Sequence, residues 1–74
     1  MKLRLRELRR AAGLTQADVA GELMCDQSLY SKYERDLRPL PLDMAVRLAD
    51  FYGVSLDYLA GMTDSPLRNE PPDA

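Results

Sequence analysis

Residues 15 to 34, TQADVAGELMCDQSLYSKYE, constrain this chain more than any other stretch. They read as two short helices separated by a three-residue break. Thr15 is placed to cap the first, and Asp18, three residues on, can close a capping box with it. Val19, Ala20 and Leu23 then recur at helical spacing and define one apolar face. Met24-Cys25-Asp26 interrupts that period, and Asp26 suits the cap of a second helix from Gln27 to Arg35. In that helix Tyr30 and Tyr33 share one face, while Gln27, Ser28, Ser31 and Lys32 lie on another. A break this short forces the two helices to cross steeply, and Ala20 offers only a methyl group at the crossing. The pattern predicts a helix-turn-helix.

The flanking sequence supplies the rest of a small helical domain. Leu5, Leu8 and Ala12 give an inner stripe to a first helix over about Leu3 to Ala12, with Arg4, Arg6, Glu7 and Arg10 mostly outside. Gly13 follows as the residue that ends this helix with a positive φ. Leu14 enters the core. After the helix-turn-helix, Pro39 and Pro41 stiffen a loop, and Pro41 suits the first position of a helix running from about Pro41 or Leu42 to Tyr52. Ala45, Leu48, Ala49 and Tyr52 form the inner face of that helix, with Phe51 adding at its end, and Gly53 stops it. Ser55 caps a last helix, about Leu56 to Ala60, with Asp57 in its first turn, and Gly61 closes it. From Thr63 onward TDSPLRNEPPDA carries three prolines and little that is apolar, which reads as a flexible tail.

Length and composition limit the functions open to such a chain. Seventy-four residues allow one small domain, and 46% apolar residues suit a globular one. No apolar run reaches the ~18 residues of a membrane span. The basic N-terminus is not followed by an apolar stretch, so a secretory signal is not expected. One Cys and no His exclude a disulfide framework and an ordinary zinc site. No metal or cofactor is expected, and a cytoplasmic location fits best. Without His, a Gly-rich phosphate loop or paired buried carboxylates, no catalytic residues are visible and an enzyme is not expected. The net charge is −2, but it is unevenly spread. Residues 1 to 38 hold eight Lys/Arg against six Asp/Glu, and residues 39 to 74 hold two against six. Positive charge therefore lies with the helix-turn-helix half.

These residues together resemble the phage-repressor (Cro-like, XRE) family of helix-turn-helix DNA-binding domains. The matching positions are Leu14-Thr15-Gln16, Val19-Ala20, Tyr30-Ser31-Lys32-Tyr33-Glu34-Arg35, Arg38, Leu48-Ala49-Asp50 and the run from Val54 to Gly61. They span roughly residues 3 to 62. The resemblance implies an all-α fold, a compact bundle of five short helices of the lambda-repressor-like type, over residues 1–62, with residues 63–74 as a tail. It implies a regulator that binds double-stranded DNA, most simply a repressor acting as a homodimer on a palindromic operator.

The resemblance also assigns roles to residues. Gln27, Ser28 and Lys32 take the base-contacting positions. Gln suits adenine N6 and N7, Lys suits guanine O6 and N7, and Ser is permissive. Leu29 and Ser31 are further candidates for DNA contact. Gln16 takes the position that holds a phosphate, with Arg10 and Arg38 as further phosphate anchors. Both arginines are equally consistent with ordinary solvated charges. Arg9 and Glu34 match a basic-acidic pair that pins the first helix to the end of the recognition helix. Tyr30 and Tyr33 match inward-facing positions and not base-stacking ones. Two departures stand out: Met24 and Asp36 occupy positions where the family commonly has Gly. A non-Gly residue in the left-handed region costs about 1–2 kcal/mol, so at Met24 either the turn is strained or its geometry differs slightly, and Asp36 is the milder change because Asp tolerates that region better. Cys25 reads as a core residue. A different reading of the same chain is an antitoxin or adaptor, its acidic half and tail binding a protein partner.

Overall fold

A computed structural model describes residues 3–67 as five helices in chain order. They are α1 (Leu5–Ala11), α2 (Gln16–Glu22), α3 (Gln27–Glu34), α4 (Leu42–Tyr52) and α5 (Leu56–Leu59), with no strand among the described residues. Residues 68–74, most of the expected tail, lie outside the described residues.

Local chemistry sets most of these boundaries. Thr15 accepts from the Asp18 amide and its own amide donates to Asp18 Oδ2, so the capping box opens α2 as its spacing implies. Asp26 caps α3 by accepting from the Ser28 amide, and Ser55 caps α5 by accepting from the Tyr58 amide. Gly13 and Gly53 end α1 and α4 at φ of 71° and 67°, where a Cβ would be strained. Met24 and Asp36 hold the same left-handed conformation, at φ of 57° and 59°. The family's glycine geometry is thus kept with side chains that tolerate it less well.

The core is assembled from one residue or two per helix. Leu5, Val19, Ala20, Leu23, Tyr30, Tyr33, Leu48, Ala49 and Leu59 form one buried cluster. Leu8, Leu14 and Cys25 pack against it from the links and helix flanks. α2 packs on α3 and α4 on α5. Full burial of an aliphatic side chain such as Leu48 is worth about 1.5–3 kcal/mol, so this cluster supplies the main driving force.

Several sequence expectations need correction. α1 runs from Leu5 to Ala11, and Ala12 is an exposed C-cap residue instead of part of the inner stripe. α3 ends at Glu34 with Arg35 as its cap, and α5 ends at Leu59 with Ala60 as its cap. α4 begins at Leu42, the later of its two expected starts, with Pro41 as N-cap and not as first helical residue. Phe51 is 42% exposed, because it lies off the stripe defined by Leu48, Ala49 and Tyr52.

Arg4 departs furthest from its expected outer position. Its Nε donates to Tyr58 O at 2.9 Å and its Nη2 to Thr63 O at 3.0 Å, and the guanidinium lies 4.4 Å from the centre of the Tyr58 ring. Nη2 also meets Asp64 Oδ1 at 3.1 Å. Ser55 N donates to Pro66 O at 3.2 Å. The first residues after α5 are therefore tied to the start of α1, although TDSPL has few apolar groups with which to pack.

Candidate nucleic-acid interface

α3 has two faces because Tyr30 and Tyr33, three residues apart, both turn inward. They are 0% and 6% exposed. That burial orients the opposite side outward. Gln27, Ser28, Lys32 and Arg35 are exposed, and Ser31 is half-exposed. The side chains of Gln27 and Lys32 engage in no hydrogen bond or ion pair within the described residues, so their donors are open to an external acceptor. Leu29 instead packs against the core and is half-buried.

The first turn of α3 carries a feature that its sequence only half discloses. Asp26 accepts from the Ser28 amide as a cap should, and the Ser28 hydroxyl donates to the same carboxylate oxygen. The Ser28 hydroxyl and then its amide hold the Asp26 carboxyl below the usual carboxylate range. With its one proton committed to Asp26, the Ser28 hydroxyl faces outward as an acceptor.

The other end of α3 is anchored by an ion pair that the sequence does disclose. Arg9 Nε donates to Glu34 Oε2 at 2.6 Å and Arg9 Nη2 to Glu34 Oε1 at 3.2 Å, a two-pronged bond. Arg9 Nη1 donates to Leu14 O at 3.0 Å, so one guanidinium joins α1, the α1–α2 link and α3. The Glu34 side chain is 0% exposed and that of Arg9 only 12%. Burial works against the Glu34 charge, but the hydrogen bond from Arg9, with help from Tyr30, Gln16 and the Arg9 charge, outweighs it and holds the carboxyl below its ordinary value. Arg9 is shifted up, first by its hydrogen bond to Glu34.

Four neighbours of this pair are not legible as such in the sequence. Gln16 Nε2 donates to Glu34 Oε1 at 3.2 Å, bringing the first residue of α2 against the last residue of α3. Arg6 Nε approaches the same oxygen at 3.6 Å. The phenols of Tyr30 and Tyr52 are buried beside the network; among the described residues neither meets strict hydrogen-bond geometry, though Tyr30 lies close enough to Glu34 to help hold its charge. Burial first, and then the Glu34 carboxylate, push both phenols up, so they stay neutral.

The remaining candidates are placed plainly. Gln16 is half-buried through its bond to Glu34, whereas Arg10 at the end of α1 and Arg38 in the α3–α4 loop are exposed. Cys25 is half-buried against the core, where burial and then Asp26 raise its thiol. No group of side chains suited to a metal ion occurs among the described residues, and no helix there is long and apolar enough to cross a membrane.

A buried α3 face, an exposed polar α3 face and a supporting α2 across a tight link define a helix-turn-helix domain. The helix-turn-helix family matches residues 5–59, and the chain belongs to that family, of the XRE type. It is 44% identical over 63 residues to the uncharacterized HTH-type transcriptional regulator YobD of Bacillus subtilis, covering 85% of this chain and 56% of that protein. It is 40% identical over 67 residues to the HTH-type transcriptional regulator ImmR of the same organism, covering 90% of this chain and 53% of ImmR. It is 33% identical over 67 residues to the HTH-type transcriptional regulator RamB of Mycobacterium tuberculosis, covering 90% of this chain and 14% of RamB. The chain thus spans about half the length of the two Bacillus relatives and a small part of RamB. No solved structure matches the chain significantly.

Proposed function

We propose that this chain is a transcriptional regulator that binds double-stranded DNA by inserting α3 into the major groove. The observation that carries the reading is the exposed row Gln27, Ser28 and Lys32 on a helix whose other face is locked in the core. Gln27 offers a donor and an acceptor to adenine, and Lys32 offers donors to guanine O6 and N7. Ser28, its proton held by Asp26, accepts from the amino group of adenine or cytosine. Ser31 lies on the same side and Leu29 contributes at most the part of its side chain not packed inward. Gln16, Arg10 and Arg38 anchor phosphates and so fix the register. Residues 1–62 form the DNA-binding unit and residues 63–74 an appended segment.

The relatives named as transcriptional regulators support this function. One such domain covers few base pairs, so the operator is a near-palindrome read by a homodimer, with half-sites about 34 Å apart. Repression follows from occupancy of that operator in the cytoplasm. Exposed apolar side chains on and after α4, among them Leu42, Val46, Leu56 and Met62, supply a surface for the dimer. The same surface supports the second reading, an antitoxin or adaptor that holds a protein partner.

Selection from a randomised duplex pool, repeated across a salt series, tests the proposal. Enrichment of a palindrome, with affinity falling steeply as salt rises, is the expected result. Failure to enrich any sequence at low salt overturns base reading. A persistent one-subunit mass on the selected duplex overturns the dimer.

A further inference from the structure

We infer that Glu34 is a positioning residue for DNA binding: it holds the Gln16 carboxamide in the free protein with a donor, and not the amide oxygen, ready for a phosphate. The inference rests on the proposed phosphate contact of Gln16 and extends it. Its basis is the bond from Gln16 Nε2 to Glu34 Oε1 at 3.2 Å, made to a carboxylate whose side chain is 0% exposed.

The chemistry is one-directional. A carboxylate only accepts, so the Gln16 amide must face Glu34 through its nitrogen. That nitrogen carries two hydrogens. Glu34 takes one and the other remains for an outside acceptor. An unconstrained glutamine would present oxygen as readily as nitrogen, and would lose rotamer freedom on meeting DNA. Here the ordering is complete before DNA arrives.

Glu34 can do this without repelling DNA because its charge is already matched. Arg9 binds both oxygens, and Arg6 approaches at 3.6 Å. Glu34 is also the last residue of α3, while Gln16 is the first of α2. The same carboxylate therefore sets the distance between the phosphate anchor and the base-reading helix.

A double-mutant cycle on the selected duplex tests this, using the full chain. Gln16→Ala should weaken binding to all duplexes by roughly 5- to 10-fold and, because the amide is neutral, leave the salt slope nearly unchanged. Glu34→Gln should also weaken binding, and Gln16→Ala should cost less in the Glu34→Gln background than in the wild type. The sign is diagnostic. Removing a negative charge would by itself tighten binding to DNA, so tighter binding by Glu34→Gln overturns the inference. So do losses that multiply in the double variant. Gln16→Ala with no loss overturns the phosphate reading beneath it. If Glu34→Gln does not fold, side-chain amide relaxation in the wild-type protein decides. Gln16 as rigid as the backbone, beside a mobile Gln27, supports the inference, and equal mobility overturns it.

Discussion

The two halves of this molecule are held together differently. Around α1, α2 and α3 the fixed points are polar: the Thr15–Asp18 box, the Asp26 cap, and the Arg9–Glu34–Gln16 network. Around α4 and α5 they are mostly apolar, with Leu48, Ala49 and Leu59 buried, the Ser55 cap opening α5 and Arg4 clamping α5 to the start of α1. Apolar burial is non-directional, and tolerates small rotations of a helix. Hydrogen bonds between charged groups fix angle as well as distance. The half that must present α3 in one orientation is the half that uses them. The other half leaves Leu42, Val46, Phe51 and Leu56 partly open and stands on packing.

Breaking each half should give a different signature. Leu48→Ala is expected to have the largest effect, about 3–4 kcal/mol lost in denaturant unfolding, with DNA preference unchanged in the folded fraction. Glu34→Gln leaves Arg9 nearly buried without its partner and should cost about 3 kcal/mol by the same measurement. Its pH dependence sharpens the contrast. The Glu34 carboxyl is depressed below the ordinary value of 4.5, so the unfolded chain takes up this proton first. The contribution is complete above about pH 4.5 and is lost as pH falls through the folded value. The stability gap between wild type and Glu34→Gln should therefore narrow in acid, whereas the Leu48→Ala gap should change little.

Smaller effects test the edges of the same comparison. Arg4→Ala removes bonds to Tyr58 O and Thr63 O and should cost about 1.5 kcal/mol. Amide exchange at Ser55, which donates to Pro66 O, should quicken more than at Cys25 in the turn. Thr15→Ala should cost about 1 kcal/mol through loss of the cap. Met24→Gly should gain about 0.5 kcal/mol, the relief of left-handed strain being partly offset by the added freedom of the unfolded chain. A loss of stability on Met24→Gly would contradict the strain assigned to that turn.

Local rules carried the sequence reading a long way. Caps, helix-ending glycines and the inward tyrosines depend on spacings of three or four residues, which a sequence displays directly. The resemblance marks Met24 and Asp36 as departures, but neither residue announces positive φ by itself, and the structure supplies it. Errors fell at helix ends, where one residue rotates a side chain by 100°: Ala12 and Phe51 left the core, and Pro41 moved to the cap. Arg4 was misread for another reason. Its partners at Tyr58, Thr63 and Asp64 lie more than fifty residues away, and no local pattern encodes them. The same holds for the Gln16–Glu34 bond, which joins two residues that were each singled out but never connected.

Cys25 gives the turn a built-in reporter. It is the one thiol in the sequence, and its amide donates to Ala20 O at 2.9 Å across the end of α2. Burial, aided by Asp26, raises its pKa, so little reactive thiolate exists near neutrality. An alkylating reagent should therefore modify it slowly, and excursions that pull α2 and α3 apart should quicken the reaction. The labelling clock would run in the native sequence without any engineered probe. A duplex laid along α3 should slow it, and fraying elsewhere in the chain should leave it untouched.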